Sequence, residues 1–161
     1  MASFKTALVL FVSAQHVLFC ALETCMWRGA ARGIFGTKKK DLNATAGLAA
    51  NQGVYNLFLA MGAALSLYLN NLEGHLMFTT AMFLAACFGC TSASSIMISF
   101  AQGIPSLFVT MVTVNELENV NEKMTWRLSV VVLGVVMSGW GYFWKKLDTA
   151  SRKKLKAEEA H

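Results

Sequence analysis

The chain has 161 residues, 55% of them apolar and 14% charged, with one proline and a formal net charge of +5. Soluble domains carry about a quarter charged residues, so this composition excludes a disordered chain and leaves too little polar surface for an ordinary soluble domain. The basic excess reads as a topology signal and as attraction to anionic lipid, about 1 kcal/mol per basic residue near the surface; nucleic acid is not an expected partner.

A helix that crosses a hydrocarbon layer of about 30 Å needs about 20 mainly apolar residues. Five windows meet that requirement: 7–27, 48–69, 76–93, 94–114 and 128–144. Helical hairpins in a soluble core are the rival reading of any one window, but five of them would leave too few polar residues to cover the rest. The N-terminal MASFKTALVLFVSAQ has one lysine before an apolar run, as a signal peptide does. The run continues to Trp27 without a small-residue cleavage site, so a retained first span is expected.

In the first window His16 and Glu23 are seven residues apart, two turns on one face and about 10 Å along the axis, with Ser13 and Cys20 on the same stripe. They cannot touch each other. Glu23 lies four residues before Trp27, close enough to the boundary to pair with Arg28 or Arg32. Residues 28–47 form the longest connection, irregular at Gly29, Gly33 and Gly36, with Asp41 expected to cap the helix that follows. The second window offers Asn51, Gln52, Tyr55 and Asn56, of which Gln52 and Asn56 share a face.

Within lipid, close approach at small residues drives much of helix association. Ala81, Ala85, Gly89 and Ala93 recur every four residues in the third window, with Ala86, Cys90 and Ser94 beside them, which predicts a closely packed central helix. Ser92, Ser94 and Ser95 mark the expected turn into the fourth window, where Gln102 is polar and Pro105 predicts a kink. Glu116, Glu118 and Glu122 form an acidic stretch. Gly134, Ser138 and Gly141 give the fifth window a shorter small-residue stripe, Trp126, Trp140, Tyr142 and Trp144 are candidate interfacial anchors, and a helical tail from Lys145 is expected to extend into water. His75 and His161 read as surface residues.

Basic loops stay on the cytoplasmic side or its equivalent. Five crossings place Arg28, Arg32 and Lys38 to Lys40 on the same side as Lys145, Lys146, Arg152, Lys153, Lys154 and Lys156, leaving Lys5, Lys123 and Arg127 opposite. The expected architecture is therefore all-α: a polytopic membrane helical bundle with a four-helix core at 1–114, then an acidic loop, a fifth C-terminal transmembrane helix and a basic tail at 115–161. The N-terminus is outside and the C-terminus inside, in an organelle membrane such as the mitochondrial inner membrane or in the plasma membrane.

Ionisable groups at membrane depth are costly and usually face the bundle interior. One reading gathers His16, Glu23, Asn51, Gln52, Tyr55, Asn56 and Gln102 into a polar pocket that shuttles a proton or orients the polar head of an apolar ligand. The other makes them interhelical hydrogen bonds worth about 0.6 kcal/mol each. Cys20, Cys25, Cys87 and Cys90 read as small packing residues, because Cys87 and Cys90 lie in an apolar helix without a neighbouring cation. No catalytic set, metal site, phosphate loop or cofactor is expected from the motifs.

The spacing of His16, Glu23 and Trp27, the run Arg32-Gly33-Ile34-Phe35-Gly36, and above all Ala49-Ala50-Asn51-Gln52-Gly53-Val54-Tyr55-Asn56 followed by Leu59-Ala60 resemble the family called domain of unknown function 1304. Gly89 and the Gln102 to Pro105 spacing extend the likeness, which covers residues 16 to about 114. It implies a four-helix integral membrane protein without an established activity; the fifth helix and basic tail depart from that pattern. Two functions remain in view: a non-catalytic accessory or scaffold subunit of a larger membrane complex, partnered by membrane lipids and other membrane subunits, and a small membrane enzyme or carrier for a lipid-like ligand.

Overall fold

The structure, a computed structural model, describes residues 2–29, 34–35, 37–92, 99–117 and 120–158. Regular structure among them is entirely helical: α1 (Ala2–Thr24), a 3-10 turn (Lys39–Asp41), α2 (Leu42–Tyr68), α3 (Leu72–Ser92), a π turn (Ser99–Gly103), α4 (Ile104–Val114) and α5 (Val120–Glu158). Three segments are long and apolar enough to cross a membrane, Phe4–Thr24, Leu72–Thr91 and Glu122–Lys153, and Phe100–Val114 is a shorter apolar helix. At 27 residues α2 is long enough and carries no ionised side chain, but Asn43, Asn51, Gln52 and Asn56 dilute its hydropathy.

The chain forms two compact units, residues 1–78 and 79–161, with the boundary inside α3. In the first unit α1 and α2 make an antiparallel hairpin. α1 buries Val9, Val12, Ser13, His16, Leu22 and Glu23, mostly at the three- and four-residue steps that keep one helical face together. α2 answers with Ala49, Gly53, Asn56, Ala60 and Ala63, a stripe small enough for the backbones to close. A Cβ on Gly53 would lie 2.7 Å from Thr24 Cγ2 and 3.1 Å from the Cys20 carbonyl oxygen, so the glycine marks the closest approach.

The expected capping by Asp41 is not made. The chain enters α2 through the 3-10 turn, the Asp41 side chain forms no capping bond, and its carbonyl instead accepts from Thr45 Oγ1 at 2.7 Å. α2 starts at Leu42, which is buried, so the short helix expected after Asp41 is continuous with the second apolar window. Gly33 and Gly36 of that loop lie outside the described residues.

The turn from α2 to α3 needs only Leu69, Asn70 and Asn71. Asn70 adopts φ 52°, a left-handed conformation that asparagine tolerates. The Asn71 and Asn70 amides donate to the Ser66 and Leu67 carbonyls at 2.9 and 3.1 Å, the paired bonds that close a helix C-terminus. Asn71 Oδ1 then accepts from the Gly74 amide at 2.9 Å, capping α3. Such a short turn sets the first turn of α3 against the last of α2, where Ser66 Oγ would lie 2.6 Å from a Cβ on Gly74. That placement corrects the surface reading of His75, which is 2% exposed. His161 lies outside the described residues.

In the second unit, Thr79, Met82 and Ala86 form the buried face of α3, while Ala85 is exposed. The ridge expected through Ala81 and Ala85 thus yields to its neighbour through Ala86; Ala93, Ser94 and Ser95 lie outside the described residues. Thr110 of α4 donates to Thr79 Oγ1 at 3.0 Å. Pro105 sits in the first turn of α4, where its missing N–H costs little, directly after the π turn Ser99–Gly103. α5 packs on α3 at Gly134, where a Cβ would lie 3.0 Å from Phe83 Cε1, and Ser138 reaches the Cys87 thiol. Arg127 donates to Asn115, tying the end of α4 to α5. α5 continues unbroken through the expected tail: 39 residues, or about 58 Å at 1.5 Å per residue.

Candidate functional site

Of the seven candidate residues, the structure brings Glu23 and Asn56 together. Each lies on the buried face of its own helix, Glu23 8% and Asn56 5% exposed. Asn56 Nδ2 donates to Glu23 Oε2 at 2.7 Å. A carboxylate in the last turn of α1 lies among that helix's terminal carbonyls, which favour a cation; the amide donor supplies part of that need without a charge. Arg28, an expected partner of Glu23, instead donates through Nε to Asn43 Oδ1 at 3.0 Å, while Arg32 lies outside the described residues.

His16 is fully buried two turns earlier. Its Nδ1 lies 2.8 Å from the Val12 carbonyl oxygen and its ring meets Phe19 edge-on at 5.7 Å. Asn51, Gln52 and Tyr55 are exposed on α2; Gln52 lies on the rim of the Gly53–Asn56 seam, about 40° from Asn56 at 100° per residue, and its side chain is left outside the contact with α1. Gln102 belongs to the second unit, where its Nε2 donates to the Met82 carbonyl at 3.2 Å.

At the open end of the α1–α2 hairpin lies a cleft of about 570 Å³, within the range of small-ligand sites, lined by Glu23 to Gly29 on one side and Ala46, Gly47 and Ala50 on the other. Trp27 braces it: the indole donates to Thr45 Oγ1 at 3.1 Å and lies against Phe35 at 5.7 Å. In the sequence Trp27 marks only the end of the first apolar window, and this site is not foreseen there. The small residues at 46, 47 and 50 were its available signal, but only the register of the hairpin sets them opposite Trp27 and Arg28. All four cysteines are thiols; Cys87 and Cys90 lie on α3, and Cys25 lines the cleft.

Fold and site together define an all-helical protein with three helices of membrane-spanning length and apolarity and a polar cleft at the end of a helical hairpin. The family model described as a protein of unknown function, DUF1304, matches residues 10–114, and the chain belongs to that family. No curated protein and no solved structure matches the chain. The match spans α1 to α4 and ends at Val114, so it contains the Glu23–Asn56 pair and the cleft and leaves α5 outside.

Proposed function

We propose that the protein is a multi-pass membrane protein serving as a non-catalytic accessory or scaffold subunit of a larger membrane complex. In this reading α2 and Phe100–Val114 cross the membrane together with the three longer apolar helices. The amides of α2 do not prevent its crossing, because it bears no ionised group and Asn56 is bonded. Five crossings put the N-terminus outside and the basic loop and tail inside, in an organelle or plasma membrane.

One observation carries the subunit reading: several polar side chains bond across from one helical element of the chain to another. Glu23 with Asn56, Thr110 with Thr79, and Gln102 with the Met82 carbonyl each join two elements. This is how polar side chains hold membrane helices together, whereas catalysis needs them gathered about one reacting position. A small membrane enzyme or carrier is the second reading, favoured by the cleft beside Glu23; His16, its natural proton-transfer group, is not part of that lining.

Purification from native membrane under mild detergent, followed by native mass measurement, tests the proposal. Stoichiometric membrane partners are expected to travel with the chain. A stable monomer without them overturns the subunit role.

A further inference from the structure

The cleft at the end of the α1–α2 hairpin has a chemistry of its own, independent of any partner subunit. Its α2 wall is built from Ala46, Gly47 and Ala50. Glycine inside a helix costs about 1 kcal/mol relative to alanine and is usually explained by a neighbour that needs the space. Gly53, Gly62 and Gly74 have such neighbours, each with an atom 2.7 Å or less from where a Cβ would stand, but a Cβ on Gly47 would meet nothing within 4 Å. The open space at Gly47 therefore has no packing cause within the described residues.

The opposite wall carries two ionisable groups with bonding capacity left. Glu23 bonds to Asn56 through Oε2, and among the described residues no other group engages it. Its position at the C-terminal end of α1 favours a cation beside it, yet no lysine or arginine among the described residues pairs with it. Arg28 is bonded to Asn43 through Nε alone, which leaves the ends of its guanidinium fork for an anion. Trp27, between them in sequence, presents an indole whose polar edge is already bonded to Thr45 and whose ring offers an apolar wall.

We infer that this cleft binds a zwitterionic phosphate ester with a primary ammonium, the ammonium held by Glu23 and the phosphate by Arg28, with Gly47 leaving room for it. A phosphoethanolamine headgroup has this chemistry, whether on a membrane phospholipid or on a soluble glycerophosphodiester. A choline headgroup has no N–H to give the carboxylate and binds more weakly.

The full chain is reconstituted in nanodiscs of equimolar phosphatidylethanolamine and phosphatidylcholine, and the lipid that stays bound on release is identified by native mass spectrometry. Ethanolamine lipid is expected to be retained in preference to choline lipid by about tenfold. Glu23→Gln abolishes the preference. Gly47→Leu fills the cleft and lowers retention by about tenfold or more, while its helix content and unfolding midpoint stay at or above those of the parent. Equal retention of the two lipids by the parent chain, or undiminished retention by a folded Gly47→Leu variant, overturns the inference. Glycerophosphoethanolamine displacing the lipid at equimolar concentration supports the site with a soluble ligand as its source; failure to displace supports the membrane lipid. The readout is made on the isolated chain, so its result is separate from that of the copurification experiment.

Discussion

Gly47 and Gly53 both sit inside α2, and their substitution by alanine is expected to act in opposite directions. Gly47→Ala raises stability by up to about 1 kcal/mol, because it removes backbone freedom from the unfolded chain and meets nothing. Gly53→Ala forces its methyl against Thr24 and the Cys20 carbonyl and lowers stability by about 1–3 kcal/mol. Unfolding in mixed micelles reads both. Asn56, one turn further on, is bonded to Glu23; a double-mutant cycle of Glu23→Ala and Asn56→Ala is expected to give a coupling of about 0.6–1.7 kcal/mol, between the average and the maximum for polar pairs between membrane helices. A coupling of zero would mean that the pair does not hold the hairpin.

Elements here are joined by turns that leave little slack. Asn70 supplies the left-handed residue between α2 and α3, so Asn70→Gly is expected to be tolerated and Asn70→Val to cost about 1–2 kcal/mol. Asn71→Ala removes the cap on the Gly74 amide and costs about 1 kcal/mol. Thermal unfolding followed by helix content separates the three variants. α5 behaves differently. It buries Val130, Gly134 and Gly141 on one side and leaves Leu128, Val131, Val132, Val135, Val136, Trp140, Tyr142, Phe143 and Trp144 exposed, a surface that only lipid or other apolar helices would cover at acceptable cost. Beyond Trp144 the same helix carries Lys145, Lys146, Arg152 and Lys153 into an exposed segment.

For the protein as a whole, the proposed arrangement of five crossings makes a prediction that needs no partner or ligand. In a background without native cysteines, Lys40→Cys and Lys153→Cys are expected to react with an impermeant thiol reagent from the same face of sealed vesicles, and Lys123→Cys from the other. Labelling of the first two from opposite faces would contradict an even number of crossings between them and the charge bias that orients the chain. The family match reaches only to Val114, so α5 and the basic segment after it are what distinguish this chain from the matched region, and a truncation after Val114 asks whether that region folds without them.

Hydropathy and the 3.6-residue period are properties of a single helix, so the helical class, three apolar helices of spanning length and the face of α1 on which His16 and Glu23 lie could be read from residue order. The Ala49 to Asn56 motif was legible as a signature of the family because it, too, lies within one continuous stretch. Which side of that motif is buried was not legible: Gly53 and Asn56 face α1 while Asn51, Gln52 and Tyr55 are exposed, and only a partner helix distinguishes the two sets. Likewise the Ala81–Ala85 and Ala86–Cys90 ridges are equally small, and contact with a neighbour selected the second. The cleft depended wholly on how the chain folds back on itself, since Trp27 and Arg28 lie about twenty positions before Gly47 and meet it through the register of the hairpin. That register follows from the close approach at Gly53 and the Glu23–Asn56 bond, which act between helices.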